Sequence, residues 1–581
     1  MPEDTIPLKR FFEAVEERLS ACSADELRSI LRAMAQVVTP KERQGFLEAL
    51  VPSKEARDVI QSALRQDDLL SEIDDLVAEI REEMETAEDA YDRYSDHWDD
   101  EDSLGPYEQF IGPLTELFDR TAGVFDCGNW SLARDAYRKL FDGLAMEDDY
   151  GRGVRADDLR DADIPGARGR YLRALYETEA PANRPERLFD AMQDFGDLLG
   201  GGTVMLEDLI RVSERPLPDR EPFLRAWIAF LREQEGTSTD RWLREAIRLL
   251  EGTKGLAAFA RKEGKAHPRA YLDWLTALQS EGETAQVVAA AREALRTLPA
   301  DRPIRAAIAD HLCEAARTLG DPETLQEGRW EAFTAKPSLD RLLDLWEATP
   351  ESKRRTRMRQ AQRHLDQSLQ RQTRRSDVEF DTAGDDDLED PAWVDRTLLA
   401  HARMLCGDWE AARAMAADAD VLGWSSSDNP QSVVVPACLV LLSGQVTALP
   451  ANLARLWDWA LEGSTFLSAY EERPEDQKRL KSVYQEVMSR VRLKEAQAES
   501  LLSWCVEVGE RRACAIVEKL RRKSYDKAAV ITAACAEVLR LRSQPEPAAG
   551  LLERMRTRFP RHRAFQDELK LVAAKVGHDS S

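Results

Sequence analysis

Eight cysteines and seven histidines are the side chains with which this chain could hold a metal or attack a substrate. The cysteines stand at 22, 127, 313, 406, 438, 505, 514 and 535, with no Cys-x-x-Cys pair. Most lie among Ala and Leu on apolar helical faces, which predicts buried, reduced thiols. The histidines are His97, His267, His311, His364, His401, His562 and His578, and no two have metal-ligand spacing. His311 and Cys313 sit two apart, so on a helix they face different ways. Zinc needs convergent ligands, and the sequence offers no such set. Asp100 and Asp102 fit the first two positions of a calcium loop, but Leu104 takes the third and no Glu closes it. Gly200-Gly201-Gly202-Thr203 and Gly252-Thr253-Lys254-Gly255 lack the Gly-Lys-Ser/Thr of a phosphate loop and read as helix ends. No Gly-x-Ser-x-Gly nucleophile elbow occurs. No catalytic, metal or cofactor residue is therefore assigned, and no cofactor is expected.

Cys127 beside Gly128 is the most nucleophile-like placement, but it belongs to a phrase used twice. Residues 127–134 read Cys-Gly-Asn-Trp-Ser-Leu-Ala-Arg; residues 406–413 read Cys-Gly-Asp-Trp-Glu-Ala-Ala-Arg. Each follows one amphipathic helical stretch and opens a second. A cysteine repeated in the same turn is a packing residue first. The phrase predicts helical hairpins.

The composition agrees. Of 581 residues, 43% are hydrophobic, enough to bury a core. Ala, Leu, Arg and Glu dominate, and all favour helix. Alternating β-branched runs are almost absent, Val433–Val435 being the nearest. The net charge of −26 argues against a general nucleic-acid binder. The charge is uneven: residues 511–581 hold 16 Lys or Arg against 8 Asp or Glu, so the rest of the chain sums to −34. This layout permits electrostatic steering or a head-to-tail contact between copies; it leaves the oligomeric state open. No stretch of about 18 apolar residues offers a membrane span. The acidic start, Met1-Pro2-Glu3-Asp4-Thr5, has no apolar core of a signal peptide, so a cytoplasmic location is expected.

Residues 1–65 read as a small helical module, with capping boxes at Ser23–Glu26 and Thr39–Glu42. Residues 66–106 read as an acidic helix over 68–90, with Leu69, Ile73, Leu76 and Ile80 buried, followed by an acidic loop. Hairpins then fill 107–352. The first has Leu114, Leu117 and Phe118 before the turn, and Ala133, Ala136, Tyr137 and Leu140 after it. The clearest tandem lies at 270–337, where Gly282 and Pro299 recur 38 residues later as Gly320 and Pro337. Residues 353–375 carry nine Lys or Arg and 377–390 eight Asp or Glu, so 353–390 is expected to be a charged linker. A second array occupies 391–581. Gly423–Pro430 reads as a surface loop whose Trp424 is a candidate anchor for a partner. Residues 88–102 and 371–390 are expected to be the first sites of proteolysis.

Gly128, Trp130, Ala133 and Ala136, with Gly407, Trp409 and Ala412, resemble the start of the second helix of tetratricopeptide repeats. Met415 departs from that pattern, as does Thr284 after Gly282, and the 38-residue spacing is longer than the family's repeat. Trp330–Leu345 and Ala548–Phe565 resemble the helical portion of bacterial SWIM-type zinc-finger proteins, but the family's Cys-x-Cys and Cys-x-His motif is missing here. No zinc or DNA role carries over. The resemblances imply an all-α solenoid of stacked hairpins in two arrays.

Two functions are expected from this reading. The first is a non-catalytic scaffold or adaptor that binds a partner protein of basic character, without membrane attachment. The alternative is a regulatory subunit of a nucleic-acid-acting bacterial system, in defence or transcription, using the basic segments 353–375 and 511–565. Arg354, Arg355, Arg357 and Arg359 are the residues on which the first of those segments depends.

Overall fold

The computed structural model describes residues 66–94, 105–148, 151–198, 203–375, 393–426, 428–465 and 474–577. The expected N-terminal module at 1–65, Asp100 and Asp102, the acidic run 377–390 and the glycines 200–202 lie outside them. The described residues form 23 α-helices and no strand. The chain divides into two compact units, Met1–Leu256 and Ala257–Ser581.

In the first unit, α1 (Gln66–Tyr94) buries Leu69, Ile73, Leu76 and Ile80, the predicted stripe. It runs through residues expected in the acidic loop. It packs on α3 (Trp130–Leu144), which forms a hairpin with α2 (Ile111–Asp126). Ion pairs from Glu72 to Arg120 and from Asp74 to Lys139 fasten its outer edge. Residues 105–110, which open where the expected acidic loop ends, form a short 3-10 helix. Then follow α4 (Ile164–Thr178), α5 (Arg184–Leu198), α6 (Leu206–Arg211) and α7 (Arg220–Leu231). Aromatic rings fill this core: Phe118, Tyr137 and Phe141 meet one another, and Phe189 lies edge-on to Trp227 and Trp242. α8 (Thr237–Glu263) bends at Gly252, whose φ of 63° breaks the helical run where a helix end was expected.

Buried Glu245 of α8 accepts hydrogen bonds from the backbone N–H groups of Leu206 and Glu207, both 2.9 Å, at the free start of α6. Desolvation, only partly offset by those bonds, pushes its carboxyl up to about 7.

The second unit begins with α9 (Arg269–Ser280) and α10 (Thr284–Thr297), followed by α11 (Arg305–Leu319) and α12 (Pro322–Ala335). Gly282 and Gly320 end α9 and α11 with φ of 75° and 66°. In each case the glycine and the next residue donate back into the last turn, closing otherwise free carbonyls. Arg292 pairs with Glu327 at 2.6 Å and Arg341 with Asp310 at 2.8 Å, linking alternate helices, α10 to α12 and α11 to the helix that follows α12.

Among the described residues, those buried between Phe333 and Val572 form a single core. It takes in α13 (Leu339–Ala348), α14 (Glu351–Arg375), α15 (Arg396–Leu405), α16 (Trp409–Ala417), α17 (Gln431–Ser443), α18 (Ala451–Thr465), α19 (Pro474–Arg490), α20 (Glu495–Glu518), α21 (Tyr525–Leu541), α22 (Pro545–Arg558) and α23 (Arg563–Ala573). The linker expected from residue 353 is therefore corrected over 353–375. Met358, Ala361 and Leu365 are fully buried there, one apolar residue per turn on an otherwise charged helix. So narrow a seam is masked in the sequence by the nine basic residues around it. In α18, buried Glu537 of α21 repeats the role of Glu245: it accepts from the backbone of Asn452 at 3.2 Å and Leu453 at 2.8 Å, and from Asn452 Nδ2 at 2.6 Å.

Candidate functional site

The second unit contains a cavity of about 520 Å³ between the loop that precedes α17, the helix α18, and the passage from α20 into α21. The loop is set by amides. Asn429 Nδ2 donates to the carbonyls of Asp420 at 2.7 Å and Leu422 at 2.8 Å. Gln431, fully buried, donates to Ala416 and Ala419, each at 2.9 Å. The expected surface loop is thus anchored at its C-terminal end, with Ser425 and Ser426 exposed on the cavity wall.

Arg512 lies on α20 against that loop. It is only 8% exposed, donates to the Val421 carbonyl at 2.8 Å, and sits 4.1 Å from the centre of the Trp424 ring. No carboxylate among the described residues pairs with it. Burial, and secondarily the Arg521 charge, push its proton affinity down to about 10, so it stays cationic at neutral pH. Trp424, expected as an exposed anchor, is half-buried beneath this guanidinium, and its indole N–H finds no acceptor among the described residues.

α20 ends in a turn where Leu520 takes a φ of 53°, a left-handed conformation that costs a leucine about 1–2 kcal/mol. The turn brings Arg521 to the cavity wall. Ser524 precedes the first turn of α21 and its hydroxyl makes no cap to that helix. Lys527 follows one turn on. Arg521 and Lys527 are exposed, line the cavity and form no ion pair among the described residues. Asp526, beside them, pairs with Arg455 at 3.2 Å, and Arg455 covers Trp459 at 4.5 Å. The charged lining is three cations against Glu462, a balance of +2 in a chain of −26.

The other basic residues behave differently. Arg354 Nη1 donates to both carboxylate oxygens of Glu486, at 2.7 and 2.8 Å, and its guanidinium lies over Trp346. Arg355 donates to the Cys406 carbonyl at 3.1 Å, and Arg357 covers Trp330 at 4.8 Å. Arg359 remains exposed. In 511–565, Arg554 pairs with Glu510, Arg558 with Glu518 and Arg556 with Glu553. Exposed cations without an ion pair among the described residues include Lys519, Arg521, Arg522, Lys523 and Lys527, and again Arg561 and Arg563.

Among the described residues the imidazoles are dispersed, whereas Cys438, Cys505 and Cys535 meet in the buried core, Cys535 donating to the Cys505 carbonyl at 3.8 Å. His311 bonds Gln279 at 2.8 Å, and His401, fully buried, bonds the Tyr484 hydroxyl at 2.8 Å. Desolvation pushes His401 down to about 3, Cys313 up to about 11 and Cys535 up to about 12. These groups are neutral near pH 7. Among the described residues no three His, Cys, Asp or Glu gather as a metal site, and no helix is long and apolar enough to cross a membrane.

Trp459 and Ser524 escaped the sequence reading because nothing local marks them. The available signals were Trp424 in a Gly/Ser-rich loop and the basic segment 511–565, which holds Arg512, Arg521 and Lys527. No protein-family model matches the sequence, and no curated protein matches it.

Proposed function

We propose that this protein is a non-catalytic helical scaffold that holds a partner protein, with the cavity of the second unit as an accessory binding site. The supporting observation is the employment of its buried ionisable groups. Glu245 and Glu537 cap neighbouring helices, His401 holds Tyr484, and Arg354 is clamped by Glu486. Groups committed in this way serve the fold, whereas an active site needs convergent polar groups left free to react. The tetratricopeptide-like reading of the hairpins fits a protein that presents a surface. Exposed Asp75, Glu79 and Glu85 on α1 fit a partner of basic character.

The nucleic-acid alternative draws less support, since Arg354, Arg355 and Arg357 are spent on contacts within the chain. The two readings separate in an affinity purification of the tagged protein from its native cell, at low and high salt, with and without nuclease. A stoichiometric protein that survives nuclease and weakens with salt is the expected result. Nucleic acid, or proteins lost on nuclease treatment, would replace the scaffold with the alternative.

A further inference from the structure

Arg512 poses an energetic problem that the chain does not solve by itself. A buried guanidinium without a carboxylate is costly, because one carbonyl and one ring replace only part of its lost hydration. Arg521 adds a second positive charge close by, and Lys527 a third in the lining of the cavity. The chain has 107 acidic residues with which to neutralise them, yet the cavity lining includes only Glu462. Three cations held together in an acidic protein are explained by an anion that the chain does not supply.

The lining also indicates which anion. A balance of +2 matches a phosphate monoester, which carries about −1.5 to −2 at neutral pH, better than the single charge of a carboxylate. Ser524, whose hydroxyl makes no cap to α21, provides a further donor suited to a phosphate oxygen. The volume lies within the roughly 300–1,000 Å³ of small-molecule pockets, far more than a bare phosphate fills. The remaining wall combines the apolar and aromatic Trp424, Trp459, Leu456 and Ile516 with the hydroxyls of Thr397, Ser425, Ser426 and Ser432. Indole walls suit a flat body, and stacking of a base on an aromatic side chain contributes about 1–3 kcal/mol.

We propose that this cavity binds a small aryl or nucleoside phosphate, with the phosphate on Arg512, Arg521 and Lys527 and the flat body against Trp424 and Trp459. A long polyanion is disfavoured, since the chain outside residues 511–581 sums to −34.

The test is calorimetric titration of the full chain, with tryptophan fluorescence as a second readout. The probes are 5′-AMP, 4-nitrophenyl phosphate, adenosine, inorganic phosphate and a phosphoserine peptide. At least one of the two phosphate esters is expected to bind about tenfold or more tighter than both adenosine and phosphate alone. If AMP alone does so, the ligand is a nucleotide; if both do, any flat phosphate ester is accepted. The double variant Arg521→Ala/Lys527→Ala changes exposed residues and is expected to weaken that binding about tenfold or more, with the melting temperature unchanged. The proposal is overturned if neither ester binds at about 1 mM, if adenosine or phosphate binds equally well, or if the double variant binds as the parent does. Binding of a phosphoserine peptide but of neither ester would also overturn it, in favour of protein recognition. No partner protein is needed, so failure here leaves the scaffold reading standing, and an empty affinity purification leaves the cavity standing.

Discussion

The two copies of the turn phrase show how one local solution serves two different cores. Gly128 and Gly407 hold φ of 82° and 84°, and each donates into the helix before it, at 2.8 and 3.0 Å. Asn129 and Asp408 then cap the second helix by accepting from Leu132 and Ala411. An arginine from elsewhere closes each turn: Arg215 lies beside Gly128 and over Trp130, and Arg355 beside Gly407 with its bond to Cys406. Even the last residue of the phrase recurs in role, as Arg134 bonds Thr178 at 3.1 Å and Arg413 bonds Ser500 at 3.0 Å. The difference lies in depth. Cys406 and Trp409 are buried, with the thiol against Gln362 at 3.2 Å, while Cys127 and Trp130 are half-exposed. Where the first copy buries Ala136, the second half-exposes Met415 and buries Ala416 instead. The turn is thus independent of burial, and the helix that follows it is not.

The strongest way to separate the two surroundings is pH. Glu245 has a folded proton affinity of about 7, above its ordinary 4.5, so the first unit is favoured below about pH 4.5 and loses that contribution as pH rises toward 7. His401 has about 3 in place of 6.5, so the second unit keeps its contribution above about pH 6.5 and loses it as pH falls toward 3. Acidification from about pH 7.5 to about pH 5 is expected to stabilise the first unit and destabilise the second, each by about 2–3 kcal/mol. Hydrogen exchange, corrected for intrinsic rates, reads the two units separately. Glu245→Gln should flatten one response and His401→Gln the other; parallel responses in the parent would refute the contrast.

Next in size is the step from Ala136 to Met415. Ala136→Met forces a long side chain into a closed contact and is expected to cost about 1–3 kcal/mol. Met415→Ala should cost no more than about 1 kcal/mol. Equal losses in chemical denaturation would mean that the two second helices pack alike after all.

The turns themselves should respond equally. Gly128→Ala and Gly407→Ala each place a side chain in left-handed backbone, at about 1–2 kcal/mol. A loss at one site alone would show that its turn can relax.

The smallest effect is one of access. In the native protein Cys127 should react with a maleimide while Cys406 stays unmodified until unfolding, as mass spectrometry of the labelled peptides would show. Labelling of both at one rate would contradict the difference in depth.

Much of this was legible from residue order. The stripe of Leu69, Ile73, Leu76 and Ile80 is local, so helical spacing alone exposed it. The turn glycines at 128, 282, 320 and 407 were legible for the same reason. Met358, Ala361 and Leu365 were not, because their burial depends on a neighbouring helix and their surroundings look solvated. The cavity was least legible of all: Trp424, Trp459 and Arg512 are brought together only by the folded second unit.

The capping carboxylates Glu245 and Glu537 also set an order of events during synthesis. The start of α6 waits for a side chain 39 residues downstream, and that of α18 for one about 85 residues downstream. At roughly 5–20 residues per second, α18 emerges from the ribosome several seconds before its cap exists. Until then its first N–H groups have only water, and a chain that stops short of residue 537 never acquires that cap.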